Sequence, residues 1–418
     1  MMIQSAIHDL KIDVLTNYFR HITKSNYHIV VVDLTRCRII DKNNMKVDVQ
    51  EVDSTPLIFL NMIVKNESKI IERCMDNVSW IDGLVISDTG STDDTREIIE
   101  AWRVRNKKMG AVVQNEWKNF GHNRTVAMEE GRKWCRENDL DLTNVYFLLI
   151  DADMVLPGAE NLKKVVGEAD LWDIRQQNPS MIYHNLRVAR ASLDIVCMCP
   201  THEYYDIRTP NASRKTFDDV IINDVGDGGA KSDKVERDIR LLKEALTTDP
   251  KNCRYWFYLA NTYRDSRDYG NAILSYQQRI DVGGWYEETY CAMLYKGDCH
   301  LHMKQDKEAI CVWLDAVQID SSRAEALLRL ATYYRERSKH HTAMLFVERG
   351  LKIQQPKRLL FIEKTVYEYK MLYELSICAY YTGDRDRGKL ACKMLLDMEN
   401  IPEFIRTSVE KNLTFYNK

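Results

Sequence analysis

The stretch YFLLIDADMVLPG, residues 146–158, decides how the first half of this chain is read. Five apolar residues in a row, 146–150, fit a strand covered on both faces, and two aspartates follow at once. A buried strand that ends in carboxylates places them at the carboxyl edge of its sheet, where open α/β sheets bind ligands. Strand alternation predicts that Asp151 and Asp153 point to one side, within reach of one hard divalent cation such as Mg2+ or Mn2+. A solvated turn is the commoner meaning of an isolated Asp-x-Asp, so its neighbours must raise the metal reading.

Upstream, LIFLNMIV (57–64), LVIS (84–87) and AVVQ (111–114) are further strands separated by helical patterns, which predicts strand-helix-strand units and a mainly parallel sheet. Asn66 is expected to cap a helix whose stripe is Ile70, Cys74 and Val78. Asp94 and Glu97 form a capping box for a helix carrying Ile98, Ile99 and Trp102, and another helix is expected over 124–138. Three strand ends, VKNES, SDTGSTDDT and DADMVL, thus bring polar loops to one edge. Asp88 directly follows its strand, where its carboxylate can accept hydrogen bonds from a base or ribose. Thr92, Asp93 and Asp94 read as turn and helix-start residues.

Beyond residue 232 strand patterns vanish and helical periodicity takes over, beginning with Val235, Ile239, Leu242 and Leu246. Small residues twelve apart recur at Ala260/Ala272, Gly297/Ala309, Ala331/Ala343 and Ala379/Ala391, one in each helix of a hairpin. Four helical hairpins follow from this spacing. The aromatic residues Tyr255, Trp256, Tyr258, Trp285 and Tyr286 read as repeat core in preference to a carbohydrate platform. In residues 1–54, HIVVVDL (28–34) is a candidate strand of an extension packed on the sheet.

Composition limits the function. Of 418 residues, 59 are Lys or Arg and 62 Asp or Glu, so a net charge of −3 gives no basic field for nucleic acid. No apolar run reaches the roughly 18 residues of a membrane span, and the charged opening MMIQSAIHDLKIDV is unlike a signal peptide. A cytoplasmic protein is expected, its eleven scattered cysteines buried free thiols.

The ordered set LNMIVKNE, LVISDTGSTDDT and FLLIDADMVL resembles the nucleotide-sugar domain of family 2 glycosyltransferases of GT-A fold, over about 55–231. The stretch FYLANTYRDSRDYGNAILSYQQRI resembles a tetratricopeptide repeat (TPR), and GDGGAKSDKVERDIRLL resembles a subgroup that joins both modules, giving a TPR-like domain over 232–418. The resemblance implies a metal-dependent, inverting transfer of a sugar from a nucleoside diphosphate donor, UDP favoured, to an acceptor hydroxyl on a protein or glycan. By the same resemblance Asp88 and Asn66 lie at the nucleotide, Asp153 is the main metal ligand, and Asp151 serves ribose or metal. Arg124, in NFGHNRTVAM, holds phosphate or a motif carboxylate.

In THEYYDIR (201–208) Glu203 is the expected base and His202 the residue that completes the metal shell or touches the diphosphate. Asp224 and Asp227 are rival sources of a ligand or base, and Cys197 with Cys199 is assigned no metal. The helical half is a candidate surface for a protein partner or a second copy. The alternatives are a catalytically silent scaffold carrying a TPR-like interaction module and, third, a nucleotidyltransferase.

Overall fold

The computed structural model describes residues 39–40, 46–47, 55–178, 181–228, 233–356 and 360–417. The chain divides into two compact units, 1–56 and 57–418. The first contains the short antiparallel ladder of β1 (Ile39–Ile40) with β2 (Lys46–Val47). The expected strand at 28–34 lies outside the described residues.

The second unit begins with an eight-stranded sheet in the order β5-β4-β3-β6-β9-β8-β12-β7. Its strands are β3 (Leu57–Val64), β4 (Gly83–Asp88), β5 (Met109–Gln114), β6 (Val145–Leu148), β7 (Met154–Val155), β8 (Leu171–Asn178), β9 (Met181–Arg190) and β12 (Arg214–Asp224). The strands β5, β4, β3 and β6 are mutually parallel, as their apolar runs required. The pair β12–β8 is also parallel, while β9 runs antiparallel to β6 and β8. A separate hairpin, β10 (Ile195–Met198) with β11 (Tyr204–Ile207), ends beside the carboxyl edge. At the β4–β5 pairing, Gly110 has φ of 115°, and a side chain there would strike the backbone oxygen of Leu84.

Helices α1 (Ile71–Asn77), α2 (Thr95–Arg105) and α3 (Phe120–Glu137) make the crossovers. Ile70, Cys74 and Val78 are buried as expected. Asn66, however, does not cap α1: its backbone is left-handed, and its side-chain oxygen accepts from the Thr92 amide at 2.8 Å. Nor does Asp94 bond across its cap; Asp93 instead accepts from Ser68 and Thr95 and stitches the first loop to the second. One face of the sheet packs a core around Ile58, Leu60, Ile86, Leu148 and Trp102. The other is covered by α3 over Phe59, Val85 and Phe147.

From α4 (Lys234–Thr248) onward the chain is helical: α5 (Cys253–Asp265), α6 (Tyr269–Val282), α7 (Tyr286–His302), α8 (Asp306–Ile319), α9 (Glu325–Glu336), α10 (His340–Gly350), α11 (Met371–Thr382), α12 (Arg385–Leu396) and α13 (Glu403–Tyr416). The twelve-residue pairs fall one per helix in α5/α6, α7/α8, α9/α10 and α11/α12, and all seven alanines are 0–1% exposed. At Gly297 a methyl group would sit 2.3 Å from the Trp313 indole nitrogen, so close helix approach explains the small residues. Tyr255, Trp256 and Tyr258 pack on this core, but Trp285 and Tyr286 stand 48% and 51% exposed at the α7 start. Val235 is likewise exposed, in the first turn of α4, while Leu241 joins Leu242 and Leu246 in facing inward.

Candidate functional site

The carboxyl ends of β3, β4 and β6, the α3 start and the α4 start enclose a cavity of about 580 Å³. It exceeds the cavities of about 430 Å³ and 420 Å³ found elsewhere in the chain. Asn66, Glu67, Asp151, Asp153 and Asp224 line it, with the cations Lys65, Arg124, Lys234, Arg237 and Arg240 and the rings of Trp117 and Phe120.

Strand β6 ends at Leu148, so the expected alternation does not carry to the aspartates. They occupy a turn in which the Met154 amide donates to Asp151 O at 3.0 Å. The turn sends the two carboxylates to different partners. Asp151 Oδ1 receives Arg124 at 2.7 Å. Asp153 Oδ2 and Glu67 Oε1 instead converge, lying 3.3 Å and 3.5 Å from the point a side chain on Gly228 would occupy. Strand β12 secures this turn, since Asp224 pairs with Met154 and the Val225 amide donates to Asp153 O at 3.1 Å. Asp227 is held by both terminal nitrogens of Arg73 at 2.7 and 2.8 Å, which occupies the rival base in a bidentate pair.

Two hard oxygen donors at one cavity wall suit Mg2+ or Mn2+, which usually take one or two protein carboxylates and complete their shell with water and substrate phosphates. Among the described residues no group of three His, Cys, Asp or Glu side chains is placed to hold a metal alone. The fit is therefore to a cation that arrives with its phosphate ligand.

Arg124 is the centre of charge. It sits one turn into α3, whose first amides, Phe120 and Gly121, donate at 3.1 Å to the carbonyls of Pro200 and Cys199. A methyl group on Gly121 would lie 2.4 Å from Cys199 O, so this approach needs glycine. The contact sets the turn after β10 beside α3, and Arg124 Nε then donates to Glu203 Oε1 at 2.7 Å. Burial disfavours the Arg124 charge, but Asp151 and Glu203 overcome it and hold the guanidinium well above its ordinary pKa. One cation thus ties the carboxylates of Asp151 and Glu203 together.

His202 has a left-handed backbone, and its ring stacks on Tyr258 of α5 with centroids 4.3 Å apart, outside the cavity lining. Burial holds its pKa below 6.5, so it is a neutral ring. It is engaged by the helical half and contributes nothing to the cavity wall. Asp88 is fully buried: its Oδ1 accepts from the Gly90 and Ser91 amides at 3.1 and 3.0 Å, and its Oδ2 lacks a hydrogen-bond partner. Asp88 thus presents no surface to the cavity in this conformation. Thr89 is the residue of this loop that reaches the cavity.

Sequence reasoning missed Lys65, Trp117, Lys234, Arg237 and Arg240. The last three belong to KVERDIR, where cations recur every third residue over nearly two turns of helix, but only the docking of α4 brings them to the cavity. Arg237 lies 5.0 Å over the Phe120 ring and tethers α4 to α3. The cysteines also depart from expectation. All ten described are free, but Cys311 is exposed and Cys199 and Cys253 are half-buried.

Among the described residues no helix is long and apolar enough to cross a membrane. Residues 60–177 match the family model described as Glycosyl transferase family 2. A curated relative, the formate-dependent nitrite reductase complex subunit NrfG of Escherichia coli O157:H7, is 29% identical over 107 residues, 25% of this chain and 52% of the relative. The chain thus spans about half the length of that relative. A crystal structure of S. aureus TarS is 15% identical, covering 64% of this chain and 55% of that one with a TM-score of 0.37. A tetratricopeptide repeat protein from Parabacteroides merdae is 13% identical, covering 44% of this chain and 67% of that one with a TM-score of 0.35. The sheet half of this chain thus matches a family 2 glycosyltransferase model over residues 60–177, and paired helical hairpins follow it.

Proposed function

We propose that the protein transfers a sugar, with inversion, from a UDP-sugar to an acceptor hydroxyl with the help of Mg2+ or Mn2+. The observation that supports this best is the cavity wall where Asp153 and Glu67 converge, faced by Lys65, Arg124, Lys234 and Arg237. Carboxylates for a cation beside cations for an anion suit a metal-bound diphosphate. Trp117 and Phe120 add apolar faces for a sugar ring.

Asp153 and Glu67 would hold the cation, which when bound neutralises charge on the leaving diphosphate. The remaining work belongs to the chain. The cationic side chains orient the diphosphate, and Arg124 fixes Asp151 on the donor side and Glu203 on the acceptor side of one guanidinium. Glu203 takes the proton of the attacking hydroxyl as its oxygen bonds to the anomeric carbon. The bond from that carbon to the β-phosphate oxygen breaks, and UDP leaves with the electron pair.

Titration of UDP into the protein with and without MnCl2 tests the reading, followed by UDP release from UDP-GlcNAc and other UDP-sugars. A crystal structure of S. aureus TarS holds UDP-GlcNAc, which makes it a reasonable first donor. Mn-dependent UDP binding with turnover is the expected result. Metal-independent binding or none, with no UDP released, would leave the silent scaffold as the better reading.

A further inference from the structure

We infer that the first helical hairpin is part of the acceptor side of the site, with Arg254 and Tyr258 of α5 as positioning residues for Glu203; the inference rests on the base role proposed above. The turn from Cys199 to Tyr204 carries that carboxylate, and it is gripped from two directions. From the sheet domain, the first amides of α3 bind the carbonyls of Cys199 and Pro200, and Arg124 binds the Glu203 carboxylate.

The other grips all come from the helical half. Thr201 Oγ1 donates at 3.2 Å to Asp238 of α4, an aspartate only 2% exposed. Arg254 donates from a terminal nitrogen to His202 O at 3.0 Å. Its guanidinium also lies 4.9 Å over the Tyr204 ring and 4.7 Å over the Tyr258 ring. The His202 ring stacks on Tyr258 with planes 14° apart. His202 adopts φ of 52°, a conformation that non-glycine residues seldom take, and the contacts on its carbonyl and ring hold it there.

Glu203 is flanked on both sides by residues whose positions α5 sets. Without Arg254 and Tyr258 the peptide at 202 relaxes toward right-handed or extended backbone, and the Glu203 carboxylate swings off the line between Arg124 and the acceptor. A displacement of about 1 Å at a reacting group is worth roughly 100-fold in rate. The helical half therefore completes the acceptor side, beyond any role in recruiting a partner.

The variants Tyr258→Leu, Tyr258→Phe and Arg254→Met test this, each checked for unchanged helical content. Three readouts are taken on the full-length protein: UDP affinity with MnCl2, UDP release from UDP-GlcNAc with water as acceptor, and amide hydrogen exchange over 201–204. Expected for Tyr258→Leu and Arg254→Met are UDP affinity within 2-fold of wild type, kcat lowered at least 10-fold with KM little changed, and exchange at least 10-fold faster. Tyr258→Phe, which keeps the ring, restores both kcat and protection. Unchanged kcat in Tyr258→Leu and Arg254→Met overturns the inference. If the wild type neither binds UDP nor releases it, the functional reading has failed, and exchange alone decides: unaltered protection at 201–204 overturns the positioning role, and faster exchange sustains it. Should Tyr258→Leu fail to fold, Arg254→Met carries the same comparison.

Discussion

Replacing Arg124 by Met removes a guanidinium that sits 2.7 Å from carboxylates of both Asp151 and Glu203. The side chains are 12%, 29% and 18% exposed, so water screens the cluster only in part. A charge pair 4 Å apart is worth about 4 kcal/mol at an effective dielectric of 20, before desolvation is subtracted. Breaking a buried pair from one side typically costs about 3–5 kcal/mol, because the partner is stranded. Asp151 keeps some access to solvent, which argues for the lower end, about 3 kcal/mol. Glu203→Gln removes one of the two negative charges and should cost less alone. The double variant Arg124→Met/Glu203→Gln then recovers part of the loss, since it strands only Asp151. Urea unfolding of the four proteins in the cycle should give a coupling energy of about 1.5–3 kcal/mol between Arg124 and Glu203. A coupling below about 0.5 kcal/mol would refute the claim that this cation organises the site.

The two aspartates of the fourth loop should separate in function: Asp153→Asn abolishes Mn-dependent UDP binding with little change in melting temperature. Asp151→Asn destabilises the protein by about 1–2 kcal/mol through its lost pair with Arg124, and UDP titration with calorimetric melting checks both. Gly297→Val drives a branched side chain into Trp313, whose indole is 1% exposed, and should cost about 3 kcal/mol as a lowered urea midpoint for the helical half. His202 has its pKa held below 6.5 by burial, opposed by Asp238 and Glu203 and assisted by Lys234 and Arg254. The unfolded chain then takes up the proton first, so stability present above pH 6.5 declines as pH falls below it. His202→Phe, which keeps the stack on Tyr258, should flatten stability between pH 7 and 5.5, and an unchanged slope there would reject the assignment.

The sheet was legible because burial on both faces forces apolar runs, and 57–64, 84–87 and 111–114 each fall within a strand. The hairpins were legible for a similar reason: helices that approach closely leave room for Ala or Gly, and the spacing of those residues survives where the rest of the repeat has drifted. Irregular backbone was not legible. Asp151 and Asp153 were assigned one direction by a strand that stops at Leu148, and Asn66 was assigned a cap that its left-handed backbone forbids. The surroundings of His202 were illegible for a different reason. They come from Arg254 and Tyr258, more than 50 residues away, and no local pattern announces that contact.

The charges around the cavity show why the two halves are interdependent. The sheet loops supply Glu67, Asp151, Asp153 and Asp224 but only Lys65 and Arg124 as cations, and Arg124 is already shared between two carboxylates. Left to itself that edge is acidic, hospitable to a metal ion and repulsive toward a diphosphate that arrives without one. Helix α4 changes the balance by bringing Lys234, Arg237 and Arg240 to the same cavity, although Arg237 pairs with Asp233 and Asp238 and Arg240 with Glu244. The same helix anchors Thr201 through Asp238, and the next one holds His202 and Tyr204. On the function proposed above, anion binding on one side and placement of Glu203 on the other therefore both depend on how the helices dock. A sheet domain cut from this chain would lose those three cations and the contacts on the 199–204 turn, which is a stronger dependence than the sequence boundary at 232 implies.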